Sequence, residues 1–435
     1  MTMNRVNAGL KKMFRGIVLC GLLACFTANA AEELRVGIFG DYQINRVRGA
    51  NVPVLGQVFR SMKELGVDAI VMTGDVAFTG HPDVYKFFMK TFDEVFPDKK
   101  PELLVVMGNH DFWNREIKTR EEKVKNFMTH MRMKELDFVR QVKGYHFVCF
   151  NPSDAMGVQY DKSIFNRVRG MISGAIKASG NKPVFVVSHF PPHKTVYGSE
   201  YGKGAISTIL QPFSKIIYLS GHSHYPLEDE RSIYQKKYTI IQTGTTSYVS
   251  MESGKFNANP LHRRGDVKHF LYMTVNDKEV KFRRFSLNNK TEIKPDSPWR
   301  ISLPLDPATY KYTAARAEKR TAPQFPAKAS GVVVSDKKGA KLTFDAAQHD
   351  DFVHSYALHI SQWDGKGWQN VPTKKELLFF SDFYLGLEKM KKRFSVVIPK
   401  KTFTFKPGTR YRLEIIPIES FGKRGKGIFV EYTAK

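Results

Sequence analysis

Five short apolar runs in the chain are each followed by a polar side chain that can bind a metal ion. These runs and the polar residues behind them are 34–39 with Asp41 and Gln43, 69–72 with Asp75, 103–107 with Asn109 and His110, 184–187 with His189, and 216–219 with His222 and His224. Two carboxylates, amide groups and several imidazoles suit a pair of divalent first-row metal ions. Two such ions about 3.5–4 Å apart can hold the oxygens of an in-line displacement at phosphorus and lower the pKa of a water toward neutrality. The residue types therefore predict hydrolysis of a phosphoric ester without a covalent protein intermediate.

Alternating strands and helices are the elements that must position these side chains. Apolar side chains recur at helical spacing between the runs, at 54–65, 85–96, 121–133, 164–178 and 205–213, and a further apolar run lies at 145–150. Strands that alternate with helices indicate a layered α/β fold. Sites in such folds form beyond the carboxyl ends of the strands. We therefore expect the polar residues to lie along one edge of a sheet.

Beyond residue 225 the pattern changes to strands and then to a second domain. Residues 269–275 and 280–285 flank Asn276-Asp277, a pair typical of hairpin turns. We expect residues 31–290 to form the first domain and the proline-rich segment 291–327 to be a linker. Residues 328–435 show only short β patterns, which predict an all-β sandwich domain. Residues 406–417 resemble one strand of a fibronectin type III domain, with Tyr411 as its corner tyrosine.

The first 30 residues have the pattern of an export signal peptide. Four basic side chains precede the apolar run 17–26, and Ala28-Asn29-Ala30 provides a cleavage site. This order predicts a periplasmic or extracellular protein. In an alternative interpretation, residues 22–25 are a bacterial lipoprotein signal, and a lipid on Cys25 tethers the protein to a membrane. After cleavage at residue 30, Cys149 is the one cysteine left, so we expect no internal disulfide.

Composition excludes several classes of protein, and the charge indicates anionic partners. The 435 residues are 42% apolar and 25% charged and include 3 Cys, which excludes a disordered chain, a collagen-like chain and a disulfide-rich scaffold. The net charge is +26, and residues 301–435 hold 24 Lys and Arg against 13 Asp and Glu. Such a field attracts phosphorylated substrates and anionic cell-surface polymers or membrane surfaces. No motif for specific nucleic-acid recognition is present.

The order of the polar motifs resembles a known family. Asp-x-Gln, Gly-Asp, Gly-Asn-His-Asp, His and Gly-His-x-His follow one another between residues 34 and 285 as they do in the calcineurin-like metallophosphoesterase superfamily. Each motif alone is weak, but the five in this order are specific. The resemblance implies an α/β/β/α sandwich core and a hydrolase of phosphomonoesters or phosphodiesters that uses two divalent ions and a water activated by them.

The resemblance also implies roles for individual residues. Asp41 and His224 would bind the first ion, Asp75 would bridge both ions, and Asn109, His189 and His222 would bind the second. His110 would not bind metal, but would contact the phosphate and protonate the leaving oxygen, a task that the pKa of histidine suits. Asp111 either orients a neighbour or caps the following helix. Trp113 either stacks on a base or sugar or packs over the motif.

Gln43 departs from the commonest form of the first motif, which has histidine there. Phe78 stands where purple acid phosphatases have a metal-binding tyrosine. Because a Gln carbonyl is a neutral oxygen donor, we predict that the first ion is Mn²⁺ or Mg²⁺ rather than Zn²⁺; among Mn, Fe, Zn and Mg, we favour Mn. In the alternative, Gln43 binds a water and the first metal site is weak.

Two rival functions remain open from the sequence. Asp-x-Gln is also similar to the first motif of a manganese-dependent ADP-ribose and CDP-alcohol diphosphatase branch, which implies a nucleotide-type diphosphatase. The other rival is a catalytically weak protein that binds polyanions through its basic surface. The intact set of histidines and acids argues against the second, and metal-dependent turnover would separate the two.

Overall fold

The computed structural model describes residues 32–152, 162–202, 204–255, 261–336, 339–373 and 375–435. The expected signal segment 1–30, with Cys25, lies outside these residues. Within the described ranges, no helix is long and apolar enough to cross a membrane. Cys149 is buried, and burial raises the pKa of its thiol.

Two β-sheets form the centre of the first domain. The first sheet has the order β12-β11-β10-β1-β2-β3, with β13 paired to β11, and the second has the order β4-β5-β6-β7-β9-β8. The strands of the first sheet are β1 (Leu34–Phe39), β2 (Ala69–Met72), β3 (Glu102–Val105), β10 (His269–Val275), β11 (Glu279–Ser286), β12 (Thr291–Ile293) and β13 (Trp299–Ser302). The strands of the second are β4 (Phe138–Val142), β5 (Tyr145–Cys149), β6 (Val184–Val187), β7 (Ile216–Ser220), β8 (Ile233–Gln235) and β9 (Thr239–Gln242). β1, β2 and β3 run parallel, as do β5, β6, β7 and β9.

Helices cover the outer face of each sheet. α1 (Val52–Glu64) and α2 (Pro82–Val95) connect strands of the first sheet, and α3 (Arg120–His130) lies between β3 and β4. α4 (Lys162–Ser179) and α5 (Gly204–Leu210) connect strands of the second sheet. Side chains of α1 and α2 pack with Phe39 and Met72 of the first sheet, and side chains of α4 and α5 pack with Val186 of the second. A further core, which includes Val36 and Phe185, fills the space between the sheets. This α/β/β/α arrangement confirms the predicted fold class.

Local sequence explains where the helices begin. Pro82 opens α2, where its missing N–H costs nothing, and His81 accepts a hydrogen bond from the Asp83 N–H. α3 begins with a reciprocal capping box between Thr119 and Glu122. A cap of this kind stabilises a helix by about 1 kcal/mol. α3 therefore starts nine residues after Asp111 and packs against both α2 and the turn His110–Phe112.

The segment expected to be a linker contributes strands to the first sheet. β12 and β13 both pair with β11, and the buried Trp299 donates a hydrogen bond from its Nε1 to Glu230 over 2.7 Å. Pro295 and Pro298 lie in the turn between these short strands, where no ladder hydrogen bond is required of them. The β10–β11 hairpin turns at Asn276-Asp277, as predicted.

The C-terminal region is a β-sandwich, as expected. β14 (Gly331–Asp336), β15 (Gly339–Asp345) and β19 (Arg393–Pro399) form one sheet. The other sheet contains β16 (Ser355–Trp363), β17 (Trp368–Asn370), β18 (Leu377–Phe380), β20 (Arg410–Ile418) and β21 (Ile428–Thr433). The Tyr411 hydroxyl accepts a hydrogen bond from the Lys406 N–H at 3.0 Å, the local contact that a corner tyrosine makes.

The sandwich packs directly against the first domain. Val249 and Met251 share an apolar cluster with Phe380 and Phe383 of the sandwich. A chain of partly buried ion pairs runs beside it, from Arg284 through Glu230, Lys294 and Asp351 to Arg320. Residues 33–435 accordingly form one compact unit.

Candidate metal centre

The carboxyl ends of five parallel strands meet at the candidate site. Asp41 and Asp75 follow β1 and β2, and Asn109 follows β3, all in the first sheet. His189 follows β6 and His222 with His224 follow β7, in the second sheet. The sequence placed these residues along one edge of a sheet; the structure instead uses the edges of two facing sheets. Because the sheets pack face to face, donors from both can surround a common centre.

Asp41, Asp75 and His224 form the first group of donors. Their ligand atoms all lie within 4.8 Å of one another, and all three side chains are buried. His224 Nδ1 donates a hydrogen bond to the Tyr248 carbonyl at 2.9 Å, while its Nε2 lies 3.1 Å from Asp41 Oδ1. Such a carbonyl contact fixes the tautomer and directs the other ring nitrogen at the centre.

Asn109, His189 and His222 form the second group. Asn109 Oδ1 lies 3.0 Å from His189 Nε2 and 3.0 Å from His222 Nδ1. His189 Nδ1 donates to the Thr73 carbonyl at 2.9 Å, and its Nε2 lies 3.4 Å from Asp75 Oδ2. Asp75 thus lies between the two groups, where a bridging ligand would be required.

The contacts within both groups require added positive charge. His189 and His224 each donate Nδ1–H to a backbone carbonyl, so in a neutral ring Nε2 carries a lone pair. Each Nε2 lies 3.0–3.4 Å from side-chain oxygen atoms, which also carry lone pairs. Burial lowers the pKa of His189, but the buried Asp75 carboxylate overcomes this and raises the pKa to about 9. Asp41 likewise raises the pKa of His224 against the effect of burial. Either protons or metal cations must fill these positions, so the donor set fits divalent metal ions.

Gln43 lies in the same cluster. Its Nε2 donates a hydrogen bond to Asp75 Oδ2 at 2.5 Å, and its Oε1 is buried without a hydrogen-bond partner among the described residues. An unpartnered buried carbonyl oxygen is costly, and a metal ion nearby would satisfy it. The geometry therefore places Gln43 in the centre, next to the expected bridging carboxylate.

Several predicted ligands have a strained backbone, which sequence reasoning did not foresee. Asp41, Gln43, Asp75, His222 and His224 have φ values of 54°, 46°, 56°, 72° and 58°. This left-handed region costs a non-glycine residue of the order of 1–3 kcal/mol and persists where the surroundings enforce it. The turns bring the side chains back over the strand ends toward the centre.

Two glycines allow the backbone to approach the carboxylates. A Cβ at Gly108 would lie 2.0 Å from Asp75 Oδ1, and a Cβ at Gly221 would lie 2.6 Å from Asp41 Oδ2. The following N–H groups use this proximity: His110 N donates to Asp75 Oδ1 at 2.9 Å, and His222 N donates to Asp41 Oδ2 at 3.1 Å. The glycines in Gly-Asn-His-Asp and Gly-His-x-His are therefore required by sterics.

Asp111 orients the backbone of the site rather than binding in it. It accepts hydrogen bonds from the Gly108 N–H at 2.9 Å, the Ala77 N–H at 3.0 Å and the Tyr85 hydroxyl at 3.0 Å. These contacts join the loop after β3 to the loop after β2. Burial, together with the Asp75 carboxylate, raises the pKa of Asp111 to about 7.

His110 lies beside the donor groups, between two aromatic rings. Its ring centroid is 4.7 Å from that of Phe78 and 3.7 Å from that of Trp113. Its Nδ1 donates to the Phe78 carbonyl at 2.9 Å, and its Nε2 lies 4.0 Å from Asp75 Oδ2. Burial lowers the pKa of His110. The ring therefore presents Nε2 next to the expected bridging carboxylate.

Comparisons with known proteins identify the family of one part of the chain. The sequence model of the calcineurin-like phosphoesterase family matches residues 34–226. No curated protein was found to match the chain. Among solved structures, GAP50, the anchor in the inner membrane complex of Plasmodium, is 13% identical, with 65% of this chain and 91% of that chain covered and a TM-score of 0.43.

Two further structures resemble the chain. The purple acid phosphatase PPD1 from yellow lupin seeds is 10% identical, with 62% of this chain and 54% of that chain covered and a TM-score of 0.46. A predicted phosphoesterase from Streptococcus pneumoniae is 12% identical, with 63% of this chain and 99% of that chain covered and a TM-score of 0.30. The family match leads to one conclusion, with which the candidate metal ligands at the strand ends are consistent: residues 34–226 are a calcineurin-like phosphoesterase domain.

Proposed function

We propose that the chain is an exported, metal-dependent hydrolase of phosphomonoesters or phosphodiesters. The convergence of buried carboxylate oxygens and imidazole nitrogens from the strand ends carries this proposal, because protons or divalent cations are needed to make those contacts favourable. Asp41, Gln43 and His224 would hold one ion, and Asn109, His189 and His222 the other. Asp75 lies where it would be shared by both.

Bound divalent ions would withdraw charge from the phosphoryl oxygens and lower the pKa of the attacking water. The backbone N–H groups of His110 and His222 hold the two carboxylates in place while this occurs. Because the side chains of Asp41 and Asp75 are almost completely buried, competing water is kept away from their carboxylates.

His110 would supply the proton that the leaving oxygen requires. Because its Nδ1–H stays donated to the Phe78 carbonyl, Nε2 is the atom that gains and loses a proton. In the imidazolium form, Nε2–H would donate to the leaving oxygen, and the ring would return to the tautomer that the Phe78 carbonyl favours.

Turnover of chromogenic esters tests the proposal. p-Nitrophenyl phosphate and bis(p-nitrophenyl) phosphate should be hydrolysed by protein loaded with Mn²⁺, Fe²⁺, Zn²⁺ or Mg²⁺, with Mn²⁺ most effective. A chelator should abolish turnover, and restored metal should recover it. Turnover that persists in chelator would contradict the metal-dependent mechanism, and failure with every metal would favour the polyanion-binding alternative.

The contact of Gln43 with Asp75 favours one second candidate, a manganese-dependent nucleotide-type diphosphatase. The contact supports a role for the Asp-x-Gln motif in the centre, and the Gln43 carbonyl oxygen would be a donor that suits Mn²⁺. Release of a nucleoside monophosphate from a nucleotide diphosphate ester, faster than phosphate release from simple monoesters, would support this candidate.

The basic C-terminal region supports an accessory role for the sandwich. We propose that its excess of Lys and Arg holds the exported protein near an anionic cell-surface polymer or membrane surface. Cosedimentation with anionic vesicles that declines as salt rises would support this role. Cell fractionation before and after replacement of Ala28 and Ala30 by large residues tests the export signal.

A further inference from the structure

A broad groove opens beside His110, away from the predicted metal ligands. Its volume is about 940 Å³, and its lining includes Phe78, Trp113, Arg46 and the segment 114–118. Phe78 and Trp113 also flank the His110 ring. Since His110 is the proposed proton donor to the leaving oxygen, the leaving group of a substrate would extend into this groove.

Trp113 offers an aromatic surface at the inner end of the groove. Its side chain is 42% exposed, an unusual fraction for a large apolar residue in this protein. The Phe78 ring meets it edge-on, with centroids 6.1 Å apart and an interplanar angle of 82°. An exposed indole held by neighbouring rings can stack with a planar heterocycle, which the sequence left as one of two roles for Trp113.

Cations line the rest of the groove. Arg115, Lys118 and Lys123 lie along it, and within the described part of the chain none of them has an acidic side chain at ion-pair distance. Glu116 is the acidic residue in the lining, and it faces Arg46, with 3.9 Å between Oε1 and Nη2. Cations without acidic partners beside a phosphoesterase centre favour a ligand that carries a further anionic group.

We propose that this groove binds a nucleotide as the leaving group, with the base on Trp113 and the nucleotide's own phosphate at Arg115 and Lys123. The inference rests on the proposed function. Hydrolysis would break the bond between the reacting phosphorus and the nucleotide oxygen and form a bond from water oxygen to that phosphorus. The nucleotide oxygen would take the His110 proton, and the water proton would pass to solvent.

Equilibrium dialysis of the metal-loaded protein tests this assignment without turnover. Three probes are used. Adenosine 5′-monophosphate carries both the base and the phosphate, adenosine carries only the base, and ribose 5-phosphate carries only the phosphate. Trp113→Ala should weaken the binding of adenosine 5′-monophosphate and of adenosine at least fivefold and leave the affinity for ribose 5-phosphate unchanged. Trp113→Phe should retain most of the affinity for all three probes. The double variant Arg115→Gln/Lys123→Gln should weaken the two phosphates at least fivefold and spare adenosine.

Matched controls come from the sandwich. Trp368→Ala removes another partly exposed indole, and Lys400→Gln/Lys401→Gln removes two exposed cations far along the chain. Neither should change the affinity for any probe. Circular dichroism of each variant should match that of the wild type, which separates loss of binding from loss of folding.

The outcomes separate failure of the groove from failure of the proposed function. Equal weakening of all three probes by Trp113→Ala, or no weakening of adenosine 5′-monophosphate by either groove variant, would overturn the nucleotide assignment. Tight binding of ribose 5-phosphate with no gain from the base would overturn it in favour of a sugar phosphate. If the probes bind as expected but no phosphoester is hydrolysed with any metal, the proposed function fails instead.

Discussion

At the scale of single residues, the site concentrates features that are costly unless a ligand uses them. Five predicted ligand residues adopt left-handed backbone angles, and buried Nε2 atoms of His189 and His224 face oxygens. The Gln43 carbonyl has no partner among the residues that are described. A cation at each position would offset these costs together, which is why the donor set is best explained as a metal centre.

His110→Ala separates chemistry from metal binding. Because the ring is the proposed acid and not a ligand, kcat should fall by about 10²- to 10⁴-fold with metal content unchanged. Steady-state kinetics and elemental analysis measure the two effects, and His130→Ala at the end of α3 is the control. Intact turnover in His110→Ala would show that the acid is another group.

Gln43→His tests the origin of the metal preference. A nitrogen donor in place of the amide oxygen should move the preferred metal from Mn²⁺ toward Zn²⁺, because softer donors favour Zn²⁺. Activity titrated with each metal in the wild type and the variant measures this shift. An unchanged preference would mean that Gln43 does not bind the ion and serves instead through its hydrogen bond to Asp75.

At the scale of elements, loops at strand ends decide the site. Gly108→Ala should displace Asp75, because the added Cβ would lie 2.0 Å from its Oδ1. We expect at least a tenfold loss of metal-dependent turnover and a lower bound-metal content. Gly174→Ala in α4 is a matched control with open space around its Cβ, and it should raise helix stability by about 0.5–1 kcal/mol without affecting turnover.

The buried strands could be read from sequence better than the strained turns could. β1, β2 and β6 lie at the predicted residues, because strands buried on both faces are continuous apolar runs. The sequence predicts a linker where the edge strands β12 and β13 lie, because these strands are short and have prolines between them. The predicted ligands converge, but no local pattern signals the positive φ values of five of them or the tilted ring contact between Trp113 and His110.

At the scale of the whole molecule, a partly buried chain of ion pairs connects the first domain to the sandwich. Burial tends to raise the pKa of Glu230, but Arg284 and Lys294 outweigh it and lower the pKa to about 2. Because the pKa of Glu230 is lowered on folding, its ion pairs stabilise the folded protein fully above pH 4.5, near the pKa of this group in the unfolded chain. This stabilisation is lost as the pH falls toward 2. The two domains should therefore loosen together in acid.

Glu230→Gln measures this coupling. At pH 7 the variant should lose about 3 kcal/mol of unfolding free energy, because the buried Arg284 loses its carboxylate partner and Lys294 keeps only Asp351. Urea denaturation should show this difference shrinking as pH falls from 4.5 toward 2. Glu431→Gln, on the exposed surface of the sandwich, is the control. A difference that stays constant with pH would contradict the assigned role of Glu230.

Metal stoichiometry of the active protein tests the two-ion centre most directly. Elemental analysis of protein purified without chelators should find two equivalents of divalent transition metal per chain. Asn109→Ala should reduce this toward one equivalent and Asp75→Ala toward none, each with loss of turnover. Fully active protein that carries no metal, or unchanged occupancy in both variants, would contradict the account.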